Sequence, residues 1–337
     1  MNILVFSRTF YPNIGGVEKV AQILADQFLM LGHKVIVVTE TELRRAGELN
    51  YKVYRKINFI KKYQLLKECD VVLMHGLSLN DIPLKLISRK PFFVVHHTWY
   101  QRNLNGKKSL QDVLKLLLTH LVQNISVSQV VAKHIYDKKN HVVIHNPYED
   151  HIFFNQHERR EKDLVFVGRL VSDKGCDLLL DVLLILKDQD LYPKLSIIGE
   201  GPEKPNLIEM VQKYGLQHQV SFLGIRQGKE LSGLLNQHKI MVVPSRWAEP
   251  FGIVALEGLA SGCQLIVPDH GGLQEAIGQE GLIFANNQAA SLAEAIRNAL
   301  LEKKPKNDDL RQHLQSFEAR QVAGRYLDLF ERSLMAK

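Results

Sequence analysis

Two glycine-containing segments of the sequence have the composition of a phosphate-binding turn. The first is Pro12–Gly16, which ends in two adjacent glycines, and the second is Glu249–Glu257, which contains Gly252. Each lies between an apolar, strand-like stretch and a helix-like one. Each would therefore present the free N–H groups and the positive dipole end of a helix to an anion. The paired glycines also let the backbone approach a ligand closely, although such a pair is equally typical of an ordinary tight turn.

Charged residues accompany these turns. Glu249 and Glu257 begin and end the second segment, eight positions apart. On a single helix they would lie about 12 Å apart along the axis, a spacing that suits the two ends of an extended ligand. Arg169 and Lys174 belong to another strand-to-helix loop and form a cationic pair suited to a pyrophosphate. Taken alone, this pair could equally be solvent-facing charges around a turn.

The elements that must position these residues follow an α/β pattern. Two series of apolar, β-branched strands alternate with glycine-containing loops and amphipathic helices, which is typical of doubly wound α/β folds. Strands nearly continuous in apolar residues indicate parallel sheets covered on both faces. In the first series a helix is predicted over 107–124. Its apolar face is normally buried against a sheet, and membrane contact is the alternative. That face consists of Leu110, Val113, Leu114, Leu117 and Leu121.

The length and the pattern of elements predict two domains. A chain of 337 residues exceeds the size at which one hydrophobic core usually keeps growing. Near residue 157 an apolar strand gives way to a polar, charged connector. We therefore expect an N-terminal domain over 1–157 and a C-terminal domain over 158–317. A last helix, from about 318 to 337, is expected to pack back on the first domain.

The composition excludes several classes of protein. No segment approaches the roughly eighteen uninterrupted apolar residues of a membrane span, and the first residues lack the features of a signal peptide. We therefore expect a cytoplasmic protein. Cys69, Cys176 and Cys263 are widely spaced and include no CxxC pair. This usage suits a reducing compartment and argues against a zinc site.

Positive charge is concentrated in the first half of the chain. Residues 1–150 contain 21 Lys and Arg against 12 Asp and Glu, whereas the rest contains 22 against 24. Much of the excess lies within 44–67. This run indicates either a solvated face or a surface for anionic lipid headgroups or an acidic acceptor. Its members are Arg44, Arg45, Lys52, Arg55, Lys56, Lys61, Lys62 and Lys67.

In combination and in order, the motifs of almost the whole chain resemble the retaining GT-B glycosyltransferases of the family-4 type. That group includes mannosyl-, glucosyl- and N-acetylglucosaminyltransferases. The resemblance implies an α/β fold with two Rossmann-like doubly wound lobes facing a cleft, the acceptor bound mainly by the first and the donor by the second. The motifs are Pro12, Gly15, Gly16 and Glu18, then VFVGRLVSDKG, SIIGEGP, VSFLG, PSRWAEPFGIVALEGLASG and DHGGLQE.

The resemblance also assigns roles to individual residues. Arg169 and Lys174 would neutralise the donor diphosphate, Glu257 would hold the ribose hydroxyls, and Glu249 would lie beside the reacting sugar. Gly15 and Gly16 would close over the phosphate from the first lobe. Backbone groups complete the expected donor site: Phe251, Gly252, Ile253 and Val254 at the sugar and phosphate, and Gly199–Pro202 and Gly224–Arg226, including Ile225, at the base.

One further family element is a histidine at the end of the strand in PFFVVHHTWY. It is expected to project toward the donor sugar, and we assign this role to His97, with His96 as the alternative. Because successive residues of a strand point to opposite faces, only one of the two can do so. The expected catalytic groups are therefore His97, Glu249, Arg169 and Lys174.

The resemblance implies transfer of a hexose-type sugar from a nucleotide-diphosphate donor, with a UDP-sugar favoured over a GDP-sugar. The acceptor would be a glycan, a lipid-linked or a small molecule. We expect no cofactor, no obligatory metal and no nucleic-acid partner. Peripheral contact with an anionic membrane at its inner face is a further expectation. The nucleotide would leave from the front face, with double displacement through Glu249 as the alternative mechanism.

Two other functions are compatible with the fold. One is a GT-B-like phosphorylase or epimerase, and the other is an inactive carbohydrate-binding partner protein. Of these, a phosphorylase would offer a lysine for pyridoxal phosphate, an epimerase would show other carboxylates, and an inactive relative would have lost part of the charged set. That set is intact, which argues against all three: Arg169, Lys174, Glu249 and Glu257.

Overall fold

The computed structural model describes residues 1–43, 49–100, 109–135, 139–157, 159–301 and 309–336. These residues form two α/β units. Unit 1 comprises Met1–Pro147 and Ser316–Lys337, and unit 2 comprises Tyr148–Gln315. Within the described ranges, no helix has the length and apolar character needed to cross a membrane.

Unit 1 is built on a seven-stranded parallel sheet. The strand order is β3-β2-β1-β4-β5-β6-β7, so the direction of winding reverses between β1 and β4. The strand interiors are buried on both faces, as their continuous apolar sequences predict. The strands are β1 (Asn2–Ser7), β2 (Lys34–Thr39), β3 (Lys52–Arg55), β4 (Val71–His75), β5 (Phe92–His96), β6 (Gln123–Ser126) and β7 (His141–Val143).

Helices cover this sheet between successive strands. The first of them buries an apolar stripe of Val20, Leu24 and Phe28, spaced at helical period, against the strands. The helices of this part of unit 1 are α1 (Gly16–Met30), α2 (Phe59–Glu68), α3 (Pro83–Leu86), α4 (Leu110–Leu118) and α5 (Gln129–Ala132).

Helix α4 differs from the helix predicted over 107–124. It begins at Leu110, where Ser109 and Asp112 form a capping box, and a 3₁₀ turn over Thr119–Leu121 follows its end. Residues 107 and 108 lie outside the described ranges. Asp112, Leu116 and Thr119 form the buried side of this segment. The opposite side, with Leu110, Leu114, Leu117 and Leu121, is between 41% and 85% exposed.

Unit 2 is built on a six-stranded parallel sheet in the order β10-β9-β8-β11-β12-β13, which reverses between β8 and β11. The doubly wound α/β architecture expected from the sequence is therefore confirmed in both units. The strands are β8 (Lys162–Val167), β9 (Leu195–Ile198), β10 (Val220–Gly224), β11 (His238–Val242), β12 (Gln264–Pro268) and β13 (Gly281–Phe284).

The helices of unit 2 enclose a core dominated by leucine and isoleucine. Leu179 and Leu183 of the first helix and Ile296 of the sixth belong to one buried cluster with the sheet. The helices are α6 (Cys176–Lys187), α7 (Lys204–Lys213), α8 (Gly228–Gln237), α9 (Ile253–Ala260), α10 (Leu273–Ile277), α11 (Ala289–Leu301) and α12 (Asp309–Gln315).

The first boundary between the units precedes the polar connector near residue 157. The segment that follows Pro147 is tied to α8 by hydrogen bonds. Ser232 Oγ donates to the carbonyl of Ile152 at 2.7 Å, and Asn236 Nδ2 donates to the carbonyl of Phe154 at 3.1 Å. These bonds make the connector part of unit 2.

The last helix, α13 (Ala319–Met335), belongs to unit 1. The ring of Phe330 lies 4.6 Å from that of Phe93 on β5 and 5.8 Å from that of Phe28 on α1. Tyr326 is also fully buried beside Phe28. Aromatic packing therefore holds the end of the chain against the first sheet.

Candidate active site

The loops that follow β8 and β11 lie side by side in unit 2. These two strands are neighbours, and the strand order reverses between them. In open parallel sheets, ligands bind at such a reversal, outside the carboxyl ends of the strands. The loop after β8 carries Arg169 and Lys174, and the loop after β11 carries Glu249.

Arg246 ties the two loops together. Its guanidinium donates two hydrogen bonds to the carboxylate of Asp177, at 2.7 and 2.8 Å, and a third to the carbonyl of Ser172 at 3.0 Å. Its backbone N–H donates to the carbonyl of Asp173 at 2.9 Å. The bonds to Asp177 raise the pKa of Arg246 above its usual range. Such a bidentate pair fixes geometry as well as charge.

Lys174 and Glu249 meet in an ion pair across the two loops. The same carboxylate oxygen, Oε1, accepts a hydrogen bond from Ser245 Oγ at 2.7 Å. The carbonyl of Glu249 also accepts from the N–H of Gly272 at 2.7 Å. Glu249 is in the loop before α9, so the 12 Å helical spacing to Glu257 does not apply. The loop conformation, held by these contacts, decides its position instead.

Arg169 is the exposed cation of this group. Its side chain makes no hydrogen bond or ion pair with the other described residues. Lys174, by contrast, is already held by Glu249. An incoming anion would therefore find a free guanidinium at Arg169 and a shared ammonium at Lys174.

Two helix N-termini open at these loops. Helix α6 begins after Gly175 and helix α9 begins after Gly252, and neither has a side-chain cap. Both glycines have positive φ, at 67° and 101°. A Cβ at Gly175 would overlap the carbonyl oxygen of Pro244, and one at Gly252 would overlap the side chain of Leu273. The glycines therefore leave the first N–H groups of both helices open to an anion.

Glu257 lies on α9, one turn after its start, and is 4% exposed. A ligand hydroxyl could reach this carboxylate only at its narrow exposed edge. It is separate from Glu249 in environment as well as in sequence. The structure therefore offers one carboxylate in a cationic loop and one in a helix interior.

The expected base-binding region adjoins Arg169. A Cβ at Gly199 would overlap the carbonyl of Gly168, and one at Gly201 would overlap the carbonyl of Leu170. The loop after β9 therefore packs directly on the loop that carries Arg169. The N–H of Gly199 donates to the carbonyl of Gly224 at 2.9 Å, and Ile225 follows as an exposed side chain. These backbone contacts place all the sequence-predicted residues of unit 2 along one edge of the sheet.

In unit 1, the loop after β1 leads through Gly15 into α1, which begins at Gly16 and has no side-chain cap. The loop is held from the neighbouring strands. The N–H of Phe10 donates to Thr41 Oγ1 at 3.0 Å, and Arg55 donates to the carbonyl of Tyr11 at 3.0 Å. The Gly15–Gly16 turn thus lies at the reversal of strand order in unit 1, as the loop after β8 does in unit 2.

The two adjacent histidines after β5 have different surroundings. His96 is buried, with Nε2 2.9 Å from Asn124 Oδ1 and Nδ1 2.8 Å from the hydroxyl of Tyr100. His97 is half-buried, and its Nε2 lies 2.9 Å from Nδ1 of His75. Both ring nitrogens of His96 are therefore occupied, whereas His97 retains one nitrogen.

Burial keeps these rings neutral. It lowers the pKa of His75 to about 3 and that of His96 to about 4. It also lowers the pKa of His97 well below its ordinary value, with further contributions from His75 and His96. At neutral pH these groups can donate or accept hydrogen bonds, but they carry no charge.

Several residues of these sites were not identified from the sequence. His75 ends an apolar strand beside the reversal, a position that could have drawn attention to it. No local signal marks Arg246, Asp177 or Ser245, since their partners are distant in sequence. Within the described residues, no group of three or more His, Cys, Asp or Glu side chains is arranged to hold a metal ion.

A family model described as glycosyl transferases group 1 matches residues 148–316, half of the chain. One human protein of the phosphatidylinositol N-acetylglucosaminyltransferase complex is 27% identical over 340 residues, covering 90% of this chain and 69% of the relative. The structure is similar to sucrose-phosphate synthase from Thermosynechococcus elongatus, with a TM-score of 0.81 and 18% identity over 100% of both chains. It is also similar to HepE from Anabaena in complex with UDP and glucose, with a TM-score of 0.79 and 16% identity over 98% of this chain and 99% of that chain.

Proposed function

Because the chain belongs to the glycosyl transferases group 1 family and is a glycosyltransferase, we propose that it transfers a hexose-type sugar from a nucleotide-diphosphate donor with retention of configuration. The observation that carries this proposal is the convergence of Arg169, Lys174 and two uncapped helix N-termini at the strand reversal of unit 2. A UDP-sugar is the preferred donor. Its support is the UDP bound to the similar fold of HepE.

The cationic pair has the charge to stabilise a leaving diphosphate. As the bond to the sugar breaks, negative charge develops on the phosphate oxygens, and preorganised cations and helix N–H groups lower the energy of that state. Arg169 and Lys174 take the place of a metal ion in this proposal. From unit 1 we assign His97 and the Gly15–Gly16 turn to substrate contacts.

The surroundings of Glu249 favour front-face departure over double displacement. Its Oε1 is engaged by both Lys174 and Ser245. These contacts stabilise the carboxylate as an ionic partner and reduce its strength as a nucleophile. We therefore propose that the sugar passes through an oxocarbenium-like state, and that a leaving phosphate oxygen accepts the proton of the acceptor hydroxyl.

The two carboxylates should respond differently to substitution. Glu257→Ala is expected to weaken binding of both the nucleoside diphosphate and the intact donor, because its proposed partner is the ribose. Glu249→Ala should leave nucleotide affinity nearly unchanged and lower turnover, because its proposed partner is the sugar. Isothermal calorimetry with UDP alone, followed by turnover assays, separates the two effects. Equal losses of UDP affinity in both variants would contradict the assignment.

We further propose a lipid-linked or membrane-proximal acceptor. The human relative is named for phosphatidylinositol, a lipid. In unit 1, the outward side of α4 and its following turn carries four exposed leucines at helical spacing. A capping box and the buried Leu116 fix the opposite side against the unit. This face has the composition of a helix that lies in a bilayer interface.

The basic run over 44–67 contributes less to such a surface than its sequence suggests. Lys62 is buried and paired with Asp81 at 2.8 Å, and Lys56 is paired with Glu42. Lys61 and Lys67 lie over the rings of Tyr54 and Tyr63. Arg44 and Arg45 lie outside the described residues. The leucine side of α4 is therefore the better target for a test of membrane binding.

Replacing Leu114 and Leu117 together by Gln is expected to reduce vesicle binding at least about tenfold, since each leucine buried in a bilayer contributes roughly 1.5–3 kcal/mol. Co-sedimentation with neutral and anionic vesicles, at low and moderate salt, measures this. Leu301→Gln is the matched control, because Leu301 is an exposed leucine of unit 2. Anionic vesicles should bind more protein, and salt should weaken that excess. Equal binding by parent and double variant would refute the surface.

A further inference from the structure

A second histidine is joined to His97 in unit 1. His75 is the last residue of β4, which pairs with β5 and lies beside the strand reversal. Its Nδ1 lies 2.9 Å from Nε2 of His97. The ring centroids are 5.1 Å apart and the ring planes are inclined by only 16°. The rings therefore meet edge to edge, which is the geometry of a directed hydrogen bond between nitrogens.

Only one hydrogen can lie between these two nitrogens. Burial keeps both rings neutral, and a neutral imidazole has one N–H and one unprotonated nitrogen. One ring must therefore donate and the other must accept. The choice determines the protonation state of the remaining nitrogen on each ring.

The second nitrogen of His75 decides between the two arrangements. Its Nε2 is enclosed and has no hydrogen-bond partner within the described part of the chain. If His97 were the donor, His75 would carry its hydrogen on this enclosed Nε2 as an unpaired N–H. If His75 is the donor, the enclosed atom is only an unprotonated acceptor. Unpaired buried N–H groups are rarer than under-satisfied acceptors, so the second arrangement is favoured.

We propose that His75 is a positioning residue that donates its Nδ1–H to His97 and thereby places the hydrogen of His97 on Nδ1. That nitrogen makes no hydrogen bond to another described residue. It would present an N–H donor, rather than an acceptor, to a sugar hydroxyl or a phosphate oxygen. His96 cannot supply this donor, because Tyr100 and Asn124 occupy its two nitrogens. The consequence for catalysis rests on the proposed function.

Nuclear magnetic resonance tests the protonation state without reference to activity. In protein labelled with 15N in the histidine rings, long-range 15N–1H correlations distinguish the two neutral forms of imidazole. The signals of His97 are identified by their absence in the His97→Gln variant. We expect the hydrogen of His97 on Nδ1 at neutral pH. A hydrogen on Nε2 would overturn the proposal.

Kinetics test the consequence. His75→Leu is expected to lower kcat roughly ten- to a hundredfold with little change in donor KM, because His97 loses the partner that holds its tautomer. His75→Asn should retain activity within a few fold, since an amide N–H can replace Nδ1–H. In a His97→Ala background, neither change should have a further effect. Full activity of His75→Leu, or an undiminished effect without His97, would refute the positioning role.

The two measurements separate the possible failures. If His97→Ala is fully active, the assignment of His97 in the proposed function fails, while the spectrum still decides whether His75 donates to it. If His75→Leu does not fold, the parent spectrum and the His75→Asn variant remain decisive. Loss of activity in His75→Asn equal to that in His75→Leu would count against a hydrogen-bonding role.

Discussion

Arg169→Ala or Lys174→Ala is expected to lower turnover by roughly two to three orders of magnitude with little loss of stability. Each cation is proposed to act mainly on the charge that develops on the leaving diphosphate. Arg169 is exposed and makes no side-chain contact with the other described residues, so its removal breaks no fold contact. Turnover with a UDP-sugar, and the melting temperature of each variant, are the measurements. Activity within a few fold of the parent would contradict the role.

The two variants should differ in UDP affinity. Lys174→Ala leaves Glu249 without its ionic partner, so a negative charge remains beside the proposed diphosphate site. Arg169→Ala creates no such charge, and it should therefore weaken UDP binding less. Lys187→Ala, an exposed lysine at the end of α6, is the matched control. Activity of the parent should persist in EDTA, and a strict requirement for a divalent metal would show that the two cations do not replace one.

Unit 1 is expected to lose stability on acidification more steeply than unit 2. Burial lowers the folded-state pKa values of His75 to about 3 and of His96 to about 4, and it also lowers that of His97. Unit 2 has one comparable group, His238, with a pKa of about 4. Their stabilising contributions are complete above the unfolded-state pKa of about 6.5 and are lost as the pH falls toward the folded-state values.

Each of these histidines should contribute a loss of about 1 kcal/mol between pH 7 and pH 5.5, because the unfolded chain binds a proton that the folded chain excludes. Unit 1 should therefore lose about 3 kcal/mol more than its other groups explain, and unit 2 about 1 kcal/mol. The chain has one tryptophan in each unit, Trp99 and Trp247. Fluorescence melts of Trp99→Phe and Trp247→Phe variants thus report the units separately.

His238 offers a control for the acid effect. Its Nδ1 donates to the carbonyl of Leu234 at 2.7 Å, and its Nε2 accepts from Ser196 at 2.9 Å. His238→Asn can retain the first bond but cannot bind a proton. It should therefore flatten the pH dependence of unit 2 and leave that of unit 1 unchanged. Equal acid sensitivity of the two units in the parent would contradict the contribution of the unit 1 histidines.

The membrane surface illustrates where a sequence pattern is ambiguous. The leucine stripe of α4 was readily identified, but an amphipathic stripe does not state which environment covers it. Burial was the commoner expectation, and the structure instead buries the side of Asp112, Leu116 and Thr119. Likewise, Lys62 reads as part of a solvated basic run, yet it is buried between Asp81 and Glu40. Both outcomes depend on neighbours that are distant in the chain.

The sequence by itself determined the α/β class, the two doubly wound sheets and the family. These follow from apolar periodicity and from the order of glycine-containing motifs, which are local properties of the chain. The same information marked Arg169, Lys174, Glu249 and Glu257 as members of one charged set. It did not determine their partners, because no local pattern specifies which loops become neighbours.

Only the tertiary structure decided those pairings. Lys174 and Glu249 are 75 positions apart, and Asp177 and Arg246 are 69 positions apart. They meet because β11 pairs with β8 rather than with the strand before it in the chain. In unit 1, the pairing of β4 with β5 brings His75 to His97 in the same way. Strand order is set by the burial of whole strand faces and by helix crossovers, so contacts at the strand ends emerge only when the sheets are assembled.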